Sequence, residues 1–228
     1  MPEATSSTAN EIRTRFLAVD SANAADVLDA LDFPDQGLHP SFTPYPAPGQ
    51  KLAGWAFTIK GQMTPYSRQG GDPDKMAACA ALAPDVVSVW AGGGKGVSFF
   101  GELIAIGMKE RGCAGAVVDG GVRDLGWLAD LDFPVFARYR TPIQSIGRWK
   151  VTAWDVPVSL PGATARYVAI EPGDFVLADD DGALVIPGPV VGDVLEKSEA
   201  IGRKEREIRA DLASGLSLAD ALSKYGHV

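Results

Sequence analysis

Apolar and polar positions alternate in a regular way between residues 85 and 139. Short, continuous apolar runs predict strands at 85–90, 114–119 and 134–139. The segments between them have helix-like apolar spacing, and they predict one helix over about 98–111 and a short one directly after Arg123. An alternation of strand, helix and strand is typical of parallel βαβ units, which predicts an α/β fold.

The flanking segments have other patterns. Helix-like spacing over 11–33 predicts two helices or one interrupted helix, and alternation over 55–63 predicts a strand. An Ala-rich helix is predicted at 75–82. Beyond the βαβ region, 148–186 is rich in strand patterns, and 190–215 predicts a long charged helix with a weak apolar stripe.

These patterns divide the chain into three parts. Residues 1–10 are small and polar and are expected to be flexible. Residues 11–188 are expected to form a single catalytic domain, and residues 189–228 a C-terminal helical arm. The apolar stripe of the arm is suited to packing on a neighbouring subunit, and the alternative is a solvated helix on its own domain.

The composition is that of an ordinary globular protein, with 228 residues, 46% hydrophobic and 22% charged. The net charge is −8 and no basic run occurs, which argues against nucleic acid as a partner. No apolar run predicts a membrane span, and the start of the chain lacks a signal-peptide pattern, so a cytoplasmic location is expected. Cys79 and Cys113 are expected to be small core residues rather than a disulfide.

A glycine-rich stretch, GGGKG at 92–96, follows the first strand of the βαβ region. It matches neither the phosphate-binding pattern GxxxxGK[ST] nor GxGxxG. Two interpretations stay open. The stretch is either a flexible connection or a loop whose backbone N–H groups bind an anion.

The stretch DGGVRD at 119–124 ends the next strand. Its two glycines predict a tight turn with room for a ligand, at the carboxyl end of a parallel strand where ligands collect. Arg123 could form a two-pronged contact with a carboxylate or an enolate oxygen, and Asp124 could hold a hard divalent cation together with waters. The alternative is an N-cap aspartate beside a surface arginine.

A further acidic residue, Glu102, lies among apolar neighbours, where a carboxylate is unfavourable unless it is paired. Twenty residues separate it from Arg123. One helix and one buried strand of that total length would bring Glu102 and Arg123 to the same edge of the sheet. The alternative is an exposed helix glutamate.

The run GELIAIGMKERGCAGAVVDGGVRDLGWLADLDFPVFARYRTP at 101–142 resembles the RraA-like family, which includes the 4-hydroxy-4-methyl-2-oxoglutarate/4-carboxy-4-hydroxy-2-oxoadipate aldolases. The family signature is an acidic residue, a gap of twenty residues, and Arg-Asp. Here it reads Glu102, Arg123 and Asp124, where many of the aldolases carry aspartate at the first place. The similarity extends through PGDFVLADDDGALVIP at 172–187 and covers roughly 30–215.

The resemblance implies a fold, an assembly and an activity. The fold would be a single swivelling β/β/α domain with helical terminal arms, assembled as a homotrimer or homohexamer. The activity would be that of a class II aldolase, which depends on Mg²⁺ or Mn²⁺, cleaves a 4-hydroxy-2-oxo acid to pyruvate, and decarboxylates oxaloacetate as a side activity.

The resemblance also implies roles for the residues of the signature and its surroundings. Asp124 would ligate the metal, largely through waters, and Arg123 would bind the pyruvyl oxygen and stabilise the developing enolate. The backbone amides of Leu103 and Ile104, which follow Gly101, would hold the pyruvyl carboxylate.

Two further carboxylates would complete the implied site. Glu102 would orient a water of the metal shell. A glutamate from the C-terminal helix of a neighbouring subunit would be the second. Glu205 is the expected residue, with Glu199 and Glu207 as rivals.

Three alternatives stay open. Some members of the family regulate an RNA-degrading endonuclease by protein–protein contact and lack parts of the aldolase signature. An enzyme with the same site could act on a different oxo or hydroxy acid. Finally, Lys95 in the glycine-rich stretch is the best-placed lysine for a Schiff-base route.

Other residues receive simpler interpretations. Arg140 and Gln144 either line the distal end of a substrate or have a structural role. His39 and His227 are far apart, so no histidine-based metal site is expected. A hairpin turn is predicted at 179–182. The tryptophans expected in the core or at an interface are Trp127, Trp149 and Trp154.

Overall fold

The computed structural model describes residues 3–68 and 70–226, with side chains from residue 9 onward. The expectation for His227 lies outside these residues. The helices are α1 (Glu3–Phe16), α2 (Ser21–Ala30), α3 (Pro73–Ala80), α4 (Glu102–Lys109), α5 (Leu125–Asp130), α6 (Val191–Ala213) and α7 (Leu218–Tyr225). The strands are β1 (Thr43–Tyr45), β2 (Leu52–Met63), β3 (Val86–Ala91), β4 (Ser98–Phe100), β5 (Gly115–Val122), β6 (Val135–Arg140), β7 (Trp149–Trp154), β8 (Val158–Pro161), β9 (Tyr167–Ile170), β10 (Phe175–Asp179) and β11 (Gly182–Ile186).

A mixed sheet forms the centre of the molecule, in the strand order β1-β6-β5-β3-β2-β10-β11, with β4 beside β5 and β7 beside β2. The neighbours β2, β3, β5 and β6 are parallel. The predicted βαβ units are therefore confirmed, with α4 connecting β3 to β5 and α5 connecting β5 to β6. A hairpin of β8 and β9 forms a second, separate sheet.

Three clusters of buried apolar side chains hold these layers together. Helices α3, α4 and α5 cover one face of the sheet around Trp90 and Met108. The β8–β9 hairpin covers the other face around Val89 and Leu160. Helices α1, α2 and α6 pack on the end formed by β10 and β11. This arrangement is the α/β, swivelling β/β/α domain that the resemblance implies.

The predicted helix over 98–111 begins later than expected, because its first residues form β4. Phe99 and Phe100 are each 1% exposed, and their backbone pairs with β5.

β5 itself continues through Gly120 and Gly121, so the tight turn predicted there is wrong. A Cβ at Gly120 would lie 2.2 Å from the Phe99 ring, and one at Gly121 would lie 2.6 Å from the carbonyl oxygen of Val97. The glycines are needed for close packing of the two strands.

The C-terminal arm packs on the N-terminal helices of its own chain. Val194 and Leu195 are buried in one cluster with Phe16, and Arg15 donates two hydrogen bonds to Glu199 (2.9 and 2.8 Å). The contact with a neighbouring subunit stays a prediction.

α1 begins at Glu3 and so runs through most of the segment expected to be flexible.

Helix α7 was not predicted, although its start has a recognisable sequence signal. Ser217 caps it by accepting a hydrogen bond from the backbone N–H of Asp220 (3.1 Å), which is the pattern of a helix N-cap. Asp211 on α6 holds α7 in place by accepting from Lys224 (2.6 Å) and Tyr225 (2.7 Å).

Several smaller predictions are also tested. Cys79 and Cys113 are buried free thiols, as expected. Trp149 is 2% exposed and belongs to the core. Asp179 pairs with Gly182 across the predicted hairpin turn between β10 and β11. No helix within 3–68 and 70–226 has the length and apolar character needed to cross a membrane.

Candidate active site

The candidate site lies where β4 and β5 end side by side. The two strands are parallel, and the backbone N–H of Arg123 donates to the carbonyl oxygen of Phe100 (3.1 Å). The residues that follow the strands, 101–104 and 123–124, are therefore neighbours. The gap of twenty residues between Glu102 and Arg123 contains most of α4 and all of β5, which return the chain to this edge of the sheet.

Asp124 has a left-handed backbone conformation, with φ 61° and ψ 39°. Aspartate tolerates this region better than most residues, although at some conformational cost. Its Oδ2 atom accepts from the backbone N–H of Glu102 (3.3 Å) and lies 3.3 Å from Nε of Arg123. Among the described residues, Oδ1 has no hydrogen-bond partner. One carboxylate oxygen thus fixes the local structure while the other is available for a ligand.

Gly101 allows this close arrangement. A Cβ atom at this position would lie 2.6 Å from Oδ2 of Asp124 and 3.1 Å from Cγ of Arg123. The φ angle of −172° is ordinary extended backbone, so the requirement for glycine comes from space and not from conformation. Any larger residue would displace the Arg123 and Asp124 side chains.

The N-terminus of α4 presents backbone donors beside these side chains. The first N–H with a helical acceptor is that of Ala105, which donates to Gly101 (3.0 Å). The N–H groups of Leu103 and Ile104 have no acceptor among the described residues. Free N–H groups and the helix dipole together favour a bound anion such as a carboxylate.

All of these groups line one cavity of about 930 Å³. The cavity is also lined by α3 and the loop before it, and by the segment that leads into β7. Gln144 also lines the cavity, whereas Arg140 does not. The predicted residues that the structure brings together here are Gly101, Glu102, Leu103, Ile104, Arg123 and Asp124.

The predicted C-terminal glutamate lies elsewhere in the chain. Glu205 is in contact with Arg209 (2.8 Å) and Asn23 (3.4 Å), and Glu199 pairs with Arg15. Neither glutamate lines the cavity of its own chain. A contribution from a neighbouring subunit stays a prediction.

The glycine-rich stretch forms a separate structure. Asp119 accepts hydrogen bonds from the backbone N–H of Gly93 at its side chain (2.8 Å) and of Gly94 at its carbonyl oxygen (2.9 Å). Asp119 is also paired with Arg138 (3.0 Å). These two N–H groups are therefore used within the protein and not for an anion. Lys95 is exposed and lies outside the cavity lining.

Lys75, a buried lysine on α3, also lines the cavity and was not among the predicted site residues. It is 9% exposed. Its Nζ donates to the carbonyl oxygen of Phe99 (2.5 Å) and lies 5.5 Å from the centre of the Trp90 ring. Burial lowers the pKa of Lys75 to about 8; the positive charge of Arg123 acts in the same direction, while Cys79 and Asp72 oppose it.

A signal for this lysine was present in the sequence. Lys75 lies four residues before Cys79 in an Ala-rich helix, so the two side chains share one helix face. Because Cys79 was predicted to lie in the core, Lys75 could have been expected on the same buried face. The backbone of Lys75 is held at the start of α3, since its N–H donates to the capping residue Asp72 (3.1 Å).

Lys75→Met is expected to stabilise the protein at pH 7. The pKa in the folded state, about 8, lies below the ordinary 10.5. At pH values between these two pKa values, the unfolded chain binds more protons than the folded protein. The free energy of unfolding of the wild type therefore rises with pH across this range by about 3 kcal/mol, at ~1.36 kcal/mol per pKa unit. The unmet carbonyl of Phe99 offsets about 1 kcal/mol, which leaves a gain of about 2 kcal/mol at pH 7.

Urea unfolding of wild type and Lys75→Met at pH 7 and at pH 10.5 measures this effect. The titration of all other groups contributes equally to both proteins, so it cancels in the difference between their free energies of unfolding. It should favour the variant at pH 7 and slightly favour the wild type at pH 10.5. A variant that is less stable at both pH values would contradict the burial of an ammonium group at this position.

Two known proteins have sequences similar to parts of this chain. Protein DlpA of Legionella pneumophila is 30% identical over 208 residues, which cover 90% of this chain and 32% of DlpA. The 4-hydroxy-4-methyl-2-oxoglutarate aldolase of Thermus thermophilus is 36% identical over 110 residues, which cover 48% of this chain and 63% of the aldolase. The chain thus spans less than two thirds of the length of either curated relative.

The structure is similar to that of RraAS2 from Streptomyces coelicolor, described as an unusual member of the RNase ES inhibitor RraA protein family. The TM-score is 0.70 at 27% identity, and the match covers 87% of this chain and 96% of RraAS2. The sequence also matches the RraA-like family model, described as Aldolase/RraA, over residues 24–185. This chain, with its β4–β5 edge carrying Glu102, Arg123 and Asp124, therefore belongs to the RraA-like family.

Proposed function

We propose that this protein is a divalent-metal-dependent aldolase that cleaves a 4-hydroxy-2-oxo acid and releases pyruvate. The observation that carries the proposal is the position of Arg123 and Asp124 beside the free N–H groups of α4, in one cavity. A carboxylate, an oxo oxygen and a cation have separate partners in this arrangement. Relatives named as 4-hydroxy-4-methyl-2-oxoglutarate aldolases support the same reaction type.

Each residue has a definite task in this reaction. The amides of Leu103 and Ile104 hold the carboxylate of the oxo acid. The guanidinium of Arg123 binds the C2 oxygen and stabilises the negative charge that develops there as the C3–C4 bond breaks. A water held by Glu102 takes the proton of the C4 hydroxyl. Oxaloacetate passes through the same enolate when it loses CO₂, so we also propose a decarboxylase side activity.

The carboxylates at this edge suit Mg²⁺ or Mn²⁺. No group of three or more His, Cys, Asp or Glu side chains within 3–68 and 70–226 could enclose a metal. Mg²⁺ is often bound by only one or two carboxylates, with waters and substrate completing its shell. Asp124, with Oδ1 unengaged, would be the direct ligand. When bound, the cation supplies positive charge that polarises the oxo group of the substrate.

Pyruvate release by the purified protein tests the proposal. Oxaloacetate and 4-hydroxy-4-methyl-2-oxoglutarate are each assayed with Mg²⁺ and again with EDTA. We expect turnover of at least one substrate that EDTA abolishes and added Mg²⁺ or Mn²⁺ restores. Metal binding without turnover of either substrate would favour a different oxo or hydroxy acid. The absence of both would favour a regulator that acts by protein–protein contact.

We further propose that the protein forms a homotrimer or homohexamer whose contact covers the mouth of the cavity. Large apolar side chains surround this mouth and are exposed: Leu103 (78%), Trp127 (60%), Met76 (52%) and Ile146 (47%). An exposed apolar patch of this kind is typical of an interaction surface. A neighbouring subunit seated there could supply Glu205 or a rival glutamate.

Light scattering coupled to size exclusion is expected to give three or six times the chain mass of 24.0 kDa. Trp127→Glu should lower that mass, because it places a charge among the apolar side chains of the proposed contact. Tyr167→Glu is a matched control, since Tyr167 is 54% exposed but outside the cavity lining. A wild-type protein of monomer mass would refute the assembly.

A further inference from the structure

The proposed reaction contains a proton transfer that the residues of the family signature do not account for. When the C3–C4 bond breaks, its electron pair forms the enolate of pyruvate, and the carbon at C4 becomes a carbonyl. C3 must then receive a proton to give the methyl group of pyruvate. In the roles above, Glu102 acts on the C4 hydroxyl through a water, and Arg123 binds the C2 oxygen. The donor to carbon is unassigned.

Lys75 is placed to be this donor. It lines the cavity that contains Arg123 and Asp124, and its Nζ is bonded to the carbonyl oxygen of Phe99, two residues before Gly101. Within 3–68 and 70–226, no carboxylate lies within 4 Å of Nζ, so the ammonium group has a hydrogen-bond acceptor but no ion-pair partner. Burying such a group is unfavourable. A side chain kept in this environment at a cost to stability is a candidate for function.

The surroundings of Lys75 also fix its orientation. Asp72 caps α3 with Oδ1 and accepts from the backbone N–H of Val151 with Oδ2 (2.9 Å). The helix that carries the lysine is thereby fastened to β7. The ring of Phe99 stacks on that of Trp149 (4.2 Å between ring centres). The carbonyl that accepts from Nζ thus belongs to a tightly packed residue.

We propose that Lys75 is the general acid that protonates C3 of the enolate. The inference rests on the proposed function. The ammonium group gives one proton to C3, the enolate becomes pyruvate, and Lys75 is left as a neutral amine that regains its proton from water. In the reverse direction the neutral amine removes a proton from the methyl group of pyruvate.

The acidity of Lys75 suits this role. Its pKa of about 8 lies close to neutral pH, where a general acid both holds and releases its proton efficiently. Charged and titratable groups near Lys75 also act on its pKa. The charges that act on it are Cys79 and Asp72 on the α3 side and Arg123 after β5. Glu102, Asp124 and Lys150 also line the cavity.

Exchange of the pyruvate methyl protons in D₂O, followed by proton NMR with Mg²⁺ present, isolates this step. Wild type should exchange the protons at a rate that rises with pH through about 8. Lys75→Met should exchange at least about 100-fold more slowly, without that inflection, because general acid–base catalysis contributes roughly 10²–10⁴-fold. Its consumption of oxaloacetate should fall by less than tenfold, since carbon–carbon cleavage precedes the proton transfer.

Two control variants sharpen the result. Lys75→Arg keeps the charge but cannot release a proton, so it should not restore exchange. Lys95→Met, outside the cavity, should exchange as wild type does. Wild-type exchange rates in Lys75→Met would overturn the inference while leaving the aldolase intact. A pyruvate adduct trapped on Lys75 by borohydride would overturn it in favour of a Schiff base. A wild type that neither cleaves nor exchanges would overturn both proposals.

Discussion

Replacing Asp124 by asparagine is expected to lower metal-dependent pyruvate release by about a thousandfold while leaving the fold intact. Asparagine tolerates a φ of 61° as aspartate does, and its amide oxygen can still accept from the backbone N–H of Glu102. What it loses is the charge that would hold the cation. A cation supplies several kcal/mol of transition-state stabilisation, and about 4 kcal/mol corresponds to a thousandfold in rate.

Asp132→Asn is a matched control for this substitution. Asp132 also has a left-handed backbone, with φ 48°, but it is exposed and outside the cavity lining. Both variants are assayed for pyruvate release over a range of Mg²⁺ concentrations, with circular dichroism to verify the fold. Full Mg²⁺-dependent activity in Asp124→Asn would disprove the proposed role of Asp124 as a metal ligand.

Gly101→Ala is expected to reduce activity by about 100-fold with little loss of stability. The new methyl group would meet Oδ2 of Asp124 at 2.6 Å and Cγ of Arg123 at 3.1 Å. These side chains are partly exposed, at 36% and 41%, so they can move aside without disturbing the core. A displacement of about 1 Å in a positioning group is enough for a 10²-fold loss of rate.

Gly107→Ala, in the same helix α4, is the natural comparison. A Cβ there meets nothing within 4 Å, and alanine in a helix interior is more stable than glycine by about 0.5–1 kcal/mol. This variant should keep wild-type activity and melt at a slightly higher temperature. If Gly101→Ala were as active as Gly107→Ala, the close contact between Gly101 and the Arg123–Asp124 pair would have no catalytic importance.

The aldolase proposal and the Lys75 proposal make separable demands on the same cavity. Asp124→Asn and Gly101→Ala should impair carbon–carbon cleavage, because they disturb the groups that we propose to stabilise the enolate. Lys75→Met should impair the proton transfer that follows, and it should also raise stability at pH 7. A residue whose loss stabilises the protein and slows one step is hard to explain as purely structural.

Elements with local signals could be predicted from the amino-acid pattern alone. Apolar periodicity predicted the order of β3, α4, β5, α5 and β6, because a strand or helix buries residues at its own repeat. The resemblance in 101–142 then identified the family. It also grouped Gly101, Glu102, Arg123 and Asp124, which the structure brings to one edge of the sheet.

Local patterns could not predict features that depend on contacts between residues distant in sequence. β4 was predicted as helix, because only its pairing with β5 and the burial of Phe99 and Phe100 make it a strand. The spacing of Lys75 and Cys79 places both side chains on one helix face, but the burial of Lys75 depends on the packing of α3 against β4 and β7. The acidity of its ammonium group follows from that burial, because desolvation is a property of the assembled environment and not of the residue.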